Sequence, residues 1–120
     1  MDIKETAISF LKLAGTGKVK EAFDLYVASS FIHHNQYFEG TREALQKAME
    51  EAHRNSPNRS IDIKHSYVDH NTVITHSLVV KHEMDIVVVH IFRFENNKIE
   101  ELWDLGQAIE KNSPNENGLF

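Results

Sequence analysis

Residues 86–108 read IVVVHIFRFENNKIEELWDLGQA, and this stretch decides the fold class. Ile86 to Phe94 is rich in β-branched and aromatic residues, and Asn96-Asn97 separates it from Lys98 to Ala108 at the length of a two-residue hairpin. Working back from there, Val73 to Lys81 is a second β-rich run, joined to Ile86 through Glu83-Met84-Asp85. Before it, Ile61, Ile63, His65 and Tyr67 alternate with Asp62, Lys64 and Ser66 until Asp69-His70-Asn71 interrupts. The second half therefore predicts four strands in an antiparallel meander. Asn112 to Gly118 is polar and turn-rich, which predicts a domain over residues 1–111 and a loosely held tail over 112–120.

The first half has a different period. Ile3, Ala7, Phe10, Leu11 and Ala14 recur at steps of three and four, with Asp2 and Glu5 spaced as an N-cap and its partner. Val19, Ala22, Phe23 and Tyr26 repeat the pattern beyond Gly15-Thr16-Gly17, and Ala44, Leu45, Ala48, Met49 and Ala52 carry a third helix that Pro57 ends. Between the second and third helices, Phe31 to Asn35 reads as a brief extended segment. Helices followed by adjacent strands define an α+β fold, with three N-terminal helices packed on one face of a curved antiparallel sheet.

Composition narrows the function classes. At 120 residues and 13.8 kDa, with 41% hydrophobic and 26% charged residues, the chain suits one domain with its own core. Thirteen Lys and Arg against 18 Asp and Glu give a net charge of -5, the wrong sign for a partner bound through its phosphate backbone, so nucleic acid is not expected. With no Cys, thiolate nucleophiles, disulfides and Cys-ligated metals are excluded, and a reducing cytoplasm fits. No stretch has transmembrane length, and the acidic start lacks the form of a signal peptide, so neither membrane nor export is expected. Phosphate loops and nucleophile elbows are missing.

The candidate chemistry lies in the histidines and acids of the strands. His76 shares strand parity with Ile74, Leu78 and Val80, and His90 shares it with Val88, Phe92 and Phe94, so both are expected to point toward the apolar face. The bland alternative is that each is a core histidine with a satisfied partner. A two-residue turn at Asn96-Asn97 predicts Phe92 opposite Glu101 and His90 opposite Trp103, with Glu101 on the apolar face, cheap there only if paired with His76 or an arginine. Asp104 then points away unless a bulge re-aims it. Arg93 has the opposite parity and reads as a solvated face or a dimer contact. His33, His65, His70 and His82 are explained by turns and strand ends. A metal site from His34, His76 and His90 matches no ligand-spacing motif.

Phe31-Ile32-His33-His34-Asn35, then Gly40 and a helix, then Val73-Ile74-Thr75-His76-Ser77, then Ile91 to Gln107 with its Trp103-Asp104 pair resemble, in order and separation, the SnoaL-like polyketide cyclase family. That family lies in the nuclear-transport-factor-2-like superfamily, beside ketosteroid isomerase. The resemblance covers Ile3 to Ile109. It implies a cone-shaped sheet with a deep apolar cavity, and aldol-type ring closure without a cofactor. It further implies Asp104 as acid/base and His34, Asn35 and His76 as polar groups of the cavity; His90 departs from the pattern, standing where many relatives carry an acidic residue. Removing a proton alpha to a carbonyl needs a tuned base and donors aimed at the enolate oxygen. Asp104 would supply the first, with His34 and His76 as its catalytic partners. Asn35, His90, Phe92, Glu101, Trp103 and Leu78 would surround a small apolar or aromatic carbonyl compound. The rival reading is a non-catalytic ligand-binding module, and a third is an interaction scaffold. Val87, Val89 and Ile91 form an apolar strip on the other face, which predicts a homodimer through the sheet.

Overall fold

The computed structural model describes residues Met1–Phe120 as helices α1 (Ile3–Gly15), α2 (Val19–Tyr26) and α3 (Arg42–Asn55) and strands β1 (Val27–His33), β2 (Asn58–Asp69), β3 (Thr72–Lys81), β4 (Asp85–Glu95) and β5 (Lys98–Ala108). The first and third helices start on side-chain caps. Asp2 Oδ1 accepts the Glu5 N–H at 2.8 Å ahead of α1, and Thr41 Oγ1 accepts the Ala44 N–H at 3.1 Å ahead of α3. Between α1 and α2 the chain reverses at Gly17 with φ at 98°, where the His53 imidazole fills the space a Cβ would need. The apolar stripe of α1 is the expected one: Ala7, Phe10, Leu11 and Ala14 are buried. None of the helices is long and apolar enough to cross a membrane.

The strands form one sheet in the order β1-β5-β4-β3-β2. β2 to β5 are the antiparallel meander, while β1 adds to β5 in parallel, making a mixed sheet of five strands. Phe31 to His33 thus end a longer strand, whose Val27, Phe31 and His33 are buried, and His34 and Asn35 follow just beyond it. Val73, Phe92 and Leu102 lie in register on β3, β4 and β5, all three buried in one cluster with Phe10, Phe23 and Leu45 of the helices. The Phe10 ring sits 5.5 Å from Phe23 and 6.0 Å, edge-on, from Phe92. Phe92, expected beside a ligand, is a fully buried core residue, and its burial contributes about 1.5–3 kcal/mol.

This row tells the two faces apart. Strict alternation from Val73 and Phe92 sends Thr75, Ser77 and His90 to the helix side, and sends Ile74, His76, Leu78, Val87, Val89 and Ile91 to the outer side. The parity expected for His76 and Leu78 is therefore reversed. The outer face of β3 is as apolar as its inner face, where Thr75 and Ser77 are wholly buried, so hydrophobicity alone could not orient the strand.

The closing hairpin supplies the second correction. Asn96 and Asn97 take φ of 50° and 62°, the mirror-image turn expected for two residues, and Phe94 pairs with Ile99 as that turn dictates. The next pair is Arg93 with Glu101, so Glu100 is an extra residue and every later partner shifts by one. Leu102, not Glu101, faces Phe92; Trp103 faces Ile91; Asp104 faces His90. The bulge puts an apolar side chain in the core where strict pairing would bury a carboxylate.

Candidate functional site

Asp104 stands on the helix side of β5 because of that bulge, directly across from His90 on β4, with Asp104 Oδ1 3.4 Å from His90 Nε2. Asn35 arrives from the end of β1. The His34 N–H donates to the Leu102 carbonyl at 2.9 Å, continuing the β1–β5 ladder by one step, and Asn35 Nδ2 then donates to Asp104 Oδ2 at 2.9 Å. The other end of the same amide accepts the Tyr37 N–H at 3.0 Å, which fixes its orientation. His33 beside it is fully used: Nε2 donates to the Glu39 carbonyl at 2.6 Å and Nδ1 accepts the Asn35 N–H at 3.1 Å. His33 is thus a buried imidazole with both ring nitrogens engaged in holding the loop.

Burial holds the His90 pKa below the usual imidazole value, and the nearby Asp104 carboxylate offsets part of that effect. His90 is accordingly neutral beside an oriented carboxylate. Its side chain is 13% exposed and that of Asp104 27%, so the pair sits at the edge of the packed interior with Asp104 nearer to solvent. Behind it lies unspent hydrogen-bonding capacity. His90 Nδ1, Thr75 Oγ1 and Ser77 Oγ are buried without a partner, and Thr75 is the residue paired with His90 across the sheet. Each such group costs about 1–3 kcal/mol relative to a satisfied one. Thr75 and Ser77 were missed from the sequence because their small hydroxyl side chains carry the weaker of two parity signals on β3.

Of the residues expected at one site, the structure gathers Asp104, His90 and Asn35 and sends others elsewhere. His34, Glu101 and Trp103 meet on the outer face. His34 Nε2 donates to Glu101 Oε2 at 2.6 Å, and its ring stacks on Trp103 at 4.7 Å and 8°. Trp103 therefore stacks on His34 rather than touching His90. Arg93 Nε donates to Glu101 Oε1 at 2.9 Å, and Arg93 also reaches Glu95 at 3.1 Å. The carboxylate of Glu101 did find an arginine, but on the side opposite to the core. Its pKa is held below the ordinary range by the hydrogen bonds from His34 and then Arg93. His76 and Leu78 lie further along the outer face, where the His76 ring packs against His65 at 5.4 Å and Phe120 at 4.8 Å. His34 and His76 are thus on the face opposite to His90, and the three do not converge. His70 has φ at 55° in the β2–β3 turn and contacts the Asp69 carboxylate at 2.7 Å, as turn chemistry predicts.

Three helices packed on a curved mixed sheet of five strands give the α+β fold of the nuclear-transport-factor-2-like class. Residues 9–102 match the SnoaL-like domain model, and the chain belongs to that family. Among solved structures, it is similar to an NTF-2-like protein of unknown function from Burkholderia xenovorans, at 15% identity and a TM-score of 0.75, covering 93% of this chain and 88% of that one. It is also similar to a LEH-like epoxide hydrolase of M. tuberculosis, at 13% identity and a TM-score of 0.69, covering 88% and 82%. A third similar structure is a protein with a ketosteroid isomerase-like fold from Catenulispora acidiphila in complex with trimethylamine, at 14% identity and a TM-score of 0.68, covering 82% of each chain. Among curated proteins no sequence matches.

Proposed function

We propose that the protein is a cofactor-free enzyme that moves a proton alpha to the carbonyl of a small, largely apolar compound, either to isomerise it or to close a ring by aldol addition. The observation that carries this reading is the Asn35–Asp104–His90 chain, in which a carboxylate oriented by an amide at 2.9 Å faces a neutral imidazole at 3.4 Å. Asp104 is the base. It takes the alpha proton, and the electron pair of the broken C–H bond passes to the carbonyl oxygen as an enolate. His90 is the adjacent imidazole, whose Nε2 faces the carboxylate at 3.4 Å and can hold or return a proton. The enolate carbon then either receives the proton back at a new position or attacks a second carbonyl. His34 and His76, which the resemblance placed beside Asp104, have no part in these steps because they lie on the outer face.

The experiment is deuterium exchange at the alpha carbon of a panel of small ketones and 1,3-dicarbonyl compounds in heavy water, followed by NMR. The protein is expected to speed exchange of at least one of them, and Asp104→Asn to slow it about 10²–10⁴-fold, the usual worth of a positioned base. Saturable binding with no exchange in any compound would transfer the reading to a ligand-binding module. The absence of Cys supports a cytoplasmic setting. The outer strip of Val87, Val89 and Ile91 supports a homodimer through the sheet.

A further inference from the structure

The residues after β5 do not trail away from the sheet. The Ile109 N–H donates to the Asp85 carbonyl at 2.9 Å, extending the edge of the hairpin by one bond. Ser113 Oγ then accepts the Asn115 N–H at 3.1 Å, Asn115 Oδ1 accepts the Asn117 N–H at 3.0 Å, and Gly118 reverses the chain with φ at 73°. These successive local turns bring Leu119 and Phe120 back over the outer face. There the Phe120 ring lies 4.8 Å from the His76 ring at 30°, and Lys64 Nζ lies 5.9 Å from the centroid of Phe120. Lys64 is the extra residue where the β2–β3 register shifts between Ile63 and His65. Beside this clamp, Leu119 roofs a hollow of about 350 Å³ whose floor includes Val87, Val89 and Leu105.

We propose that this outer groove is a recognition site for the chain's own C-terminal segment, in which His76 and Lys64 hold the Phe120 ring and Leu119 covers the apolar floor, so that the docked segment masks the face on which a second copy would sit. The masking half of the proposal rests on the sheet-to-sheet dimer proposed above. Val87 and Val89 cannot be covered by Leu119 and by another sheet at once. The docking is of a kind that can be released: Leu119 and Phe120 stay 38% and 43% exposed, and Leu105 beneath them 57%. No residue of the core cluster under the helices lies beyond Leu102, so removing the tail leaves that core intact.

The test uses the full chain, its Phe120→Ala variant, and a chain ending at Lys111 titrated with a synthetic peptide of residues 112–120. In the full chain, the His76 ring protons are expected to carry an upfield ring-current shift that Phe120→Ala abolishes. In the shortened chain, the peptide is expected to restore that shift saturably, and the same peptide with alanine for phenylalanine is not. An unshifted His76 in the full chain, or a peptide that gives no saturable response, overturns the groove. Sedimentation equilibrium tests the masking: dimerisation is expected to tighten about tenfold or more on removing the tail and to weaken again with peptide, because a tethered segment competes at a high effective concentration. A dimer indifferent to tail and peptide overturns masking. A shortened chain that binds peptide yet stays monomeric throughout overturns both masking and the dimer, and leaves the groove standing.

Discussion

The titration of His90 is set by its burial and, in the opposite direction, by the Asp104 carboxylate beside it. Burial keeps His90 neutral in the fold, whereas in the unfolded chain it titrates near the ordinary 6.5. As pH falls below that value, the unfolded chain takes up a proton that the folded chain refuses, so stability declines with acidification at no more than about 1.4 kcal/mol per pH unit from this group. Urea unfolding from pH 7 down to pH 5 is expected to show a steeper loss for the native chain than for His90→Asn, and parallel curves would exclude the effect. Asp104→Asn, which removes the neighbour that raises the His90 pKa, is expected to push that pKa lower still by NMR titration. The orphaned hydroxyls make a separate prediction. Thr75→Val keeps the shape of a fully buried side chain while removing an unpaired oxygen, and is expected to raise stability by about 1 kcal/mol in denaturant melts.

At the scale of elements, one inserted residue governs the site. The bulge at Glu100 lets the Asn96-Asn97 turn keep its tight geometry while Leu102 enters the core and Asp104 turns toward the helices. The cost is a carboxylate, Glu101, left on the outer face beside Arg93 and His34. Both partners favour its charged form, so its contribution is present above the ordinary carboxylate value near 4.5 and is lost as pH falls through its lower folded value. A double-mutant cycle with Arg93→Ala and Glu101→Ala is expected to give a favourable coupling at neutral pH that vanishes in acid. A coupling that persists in acid would show the contact to be packing rather than charge.

For the molecule as a whole, the sheet has two apolar faces and only one is covered by helices. For the outer one the returning tail and, in our reading, a second copy compete. Val89→Lys, in the row of His76 and Leu105, is expected to abolish self-association by sedimentation while leaving the circular dichroism spectrum unchanged. Association undiminished in that variant would move the dimer contact off this face.

Much of this architecture was legible from residue order. Periodicity located three helices and the antiparallel meander, and the spacing of Asp2 and Glu5 placed the start of the first helix, because these features depend on neighbours a few positions apart. The Asn96-Asn97 turn was equally readable. What residue order left open was sidedness. On β3 both parities carry enough apolar residues to be buried, so the direction of His76 and Leu78 depended on which face the helices cover. The bulge at Glu100 follows from the global gain of burying Leu102 in one cluster with Val73 and Phe10, residues that no local window around it contains. Likewise β1 reached β5 only through parallel pairing across the whole domain, and this alone brought Asn35 to Asp104. Local chemistry determined the elements and their order; long-range burial decided which side chains face one another.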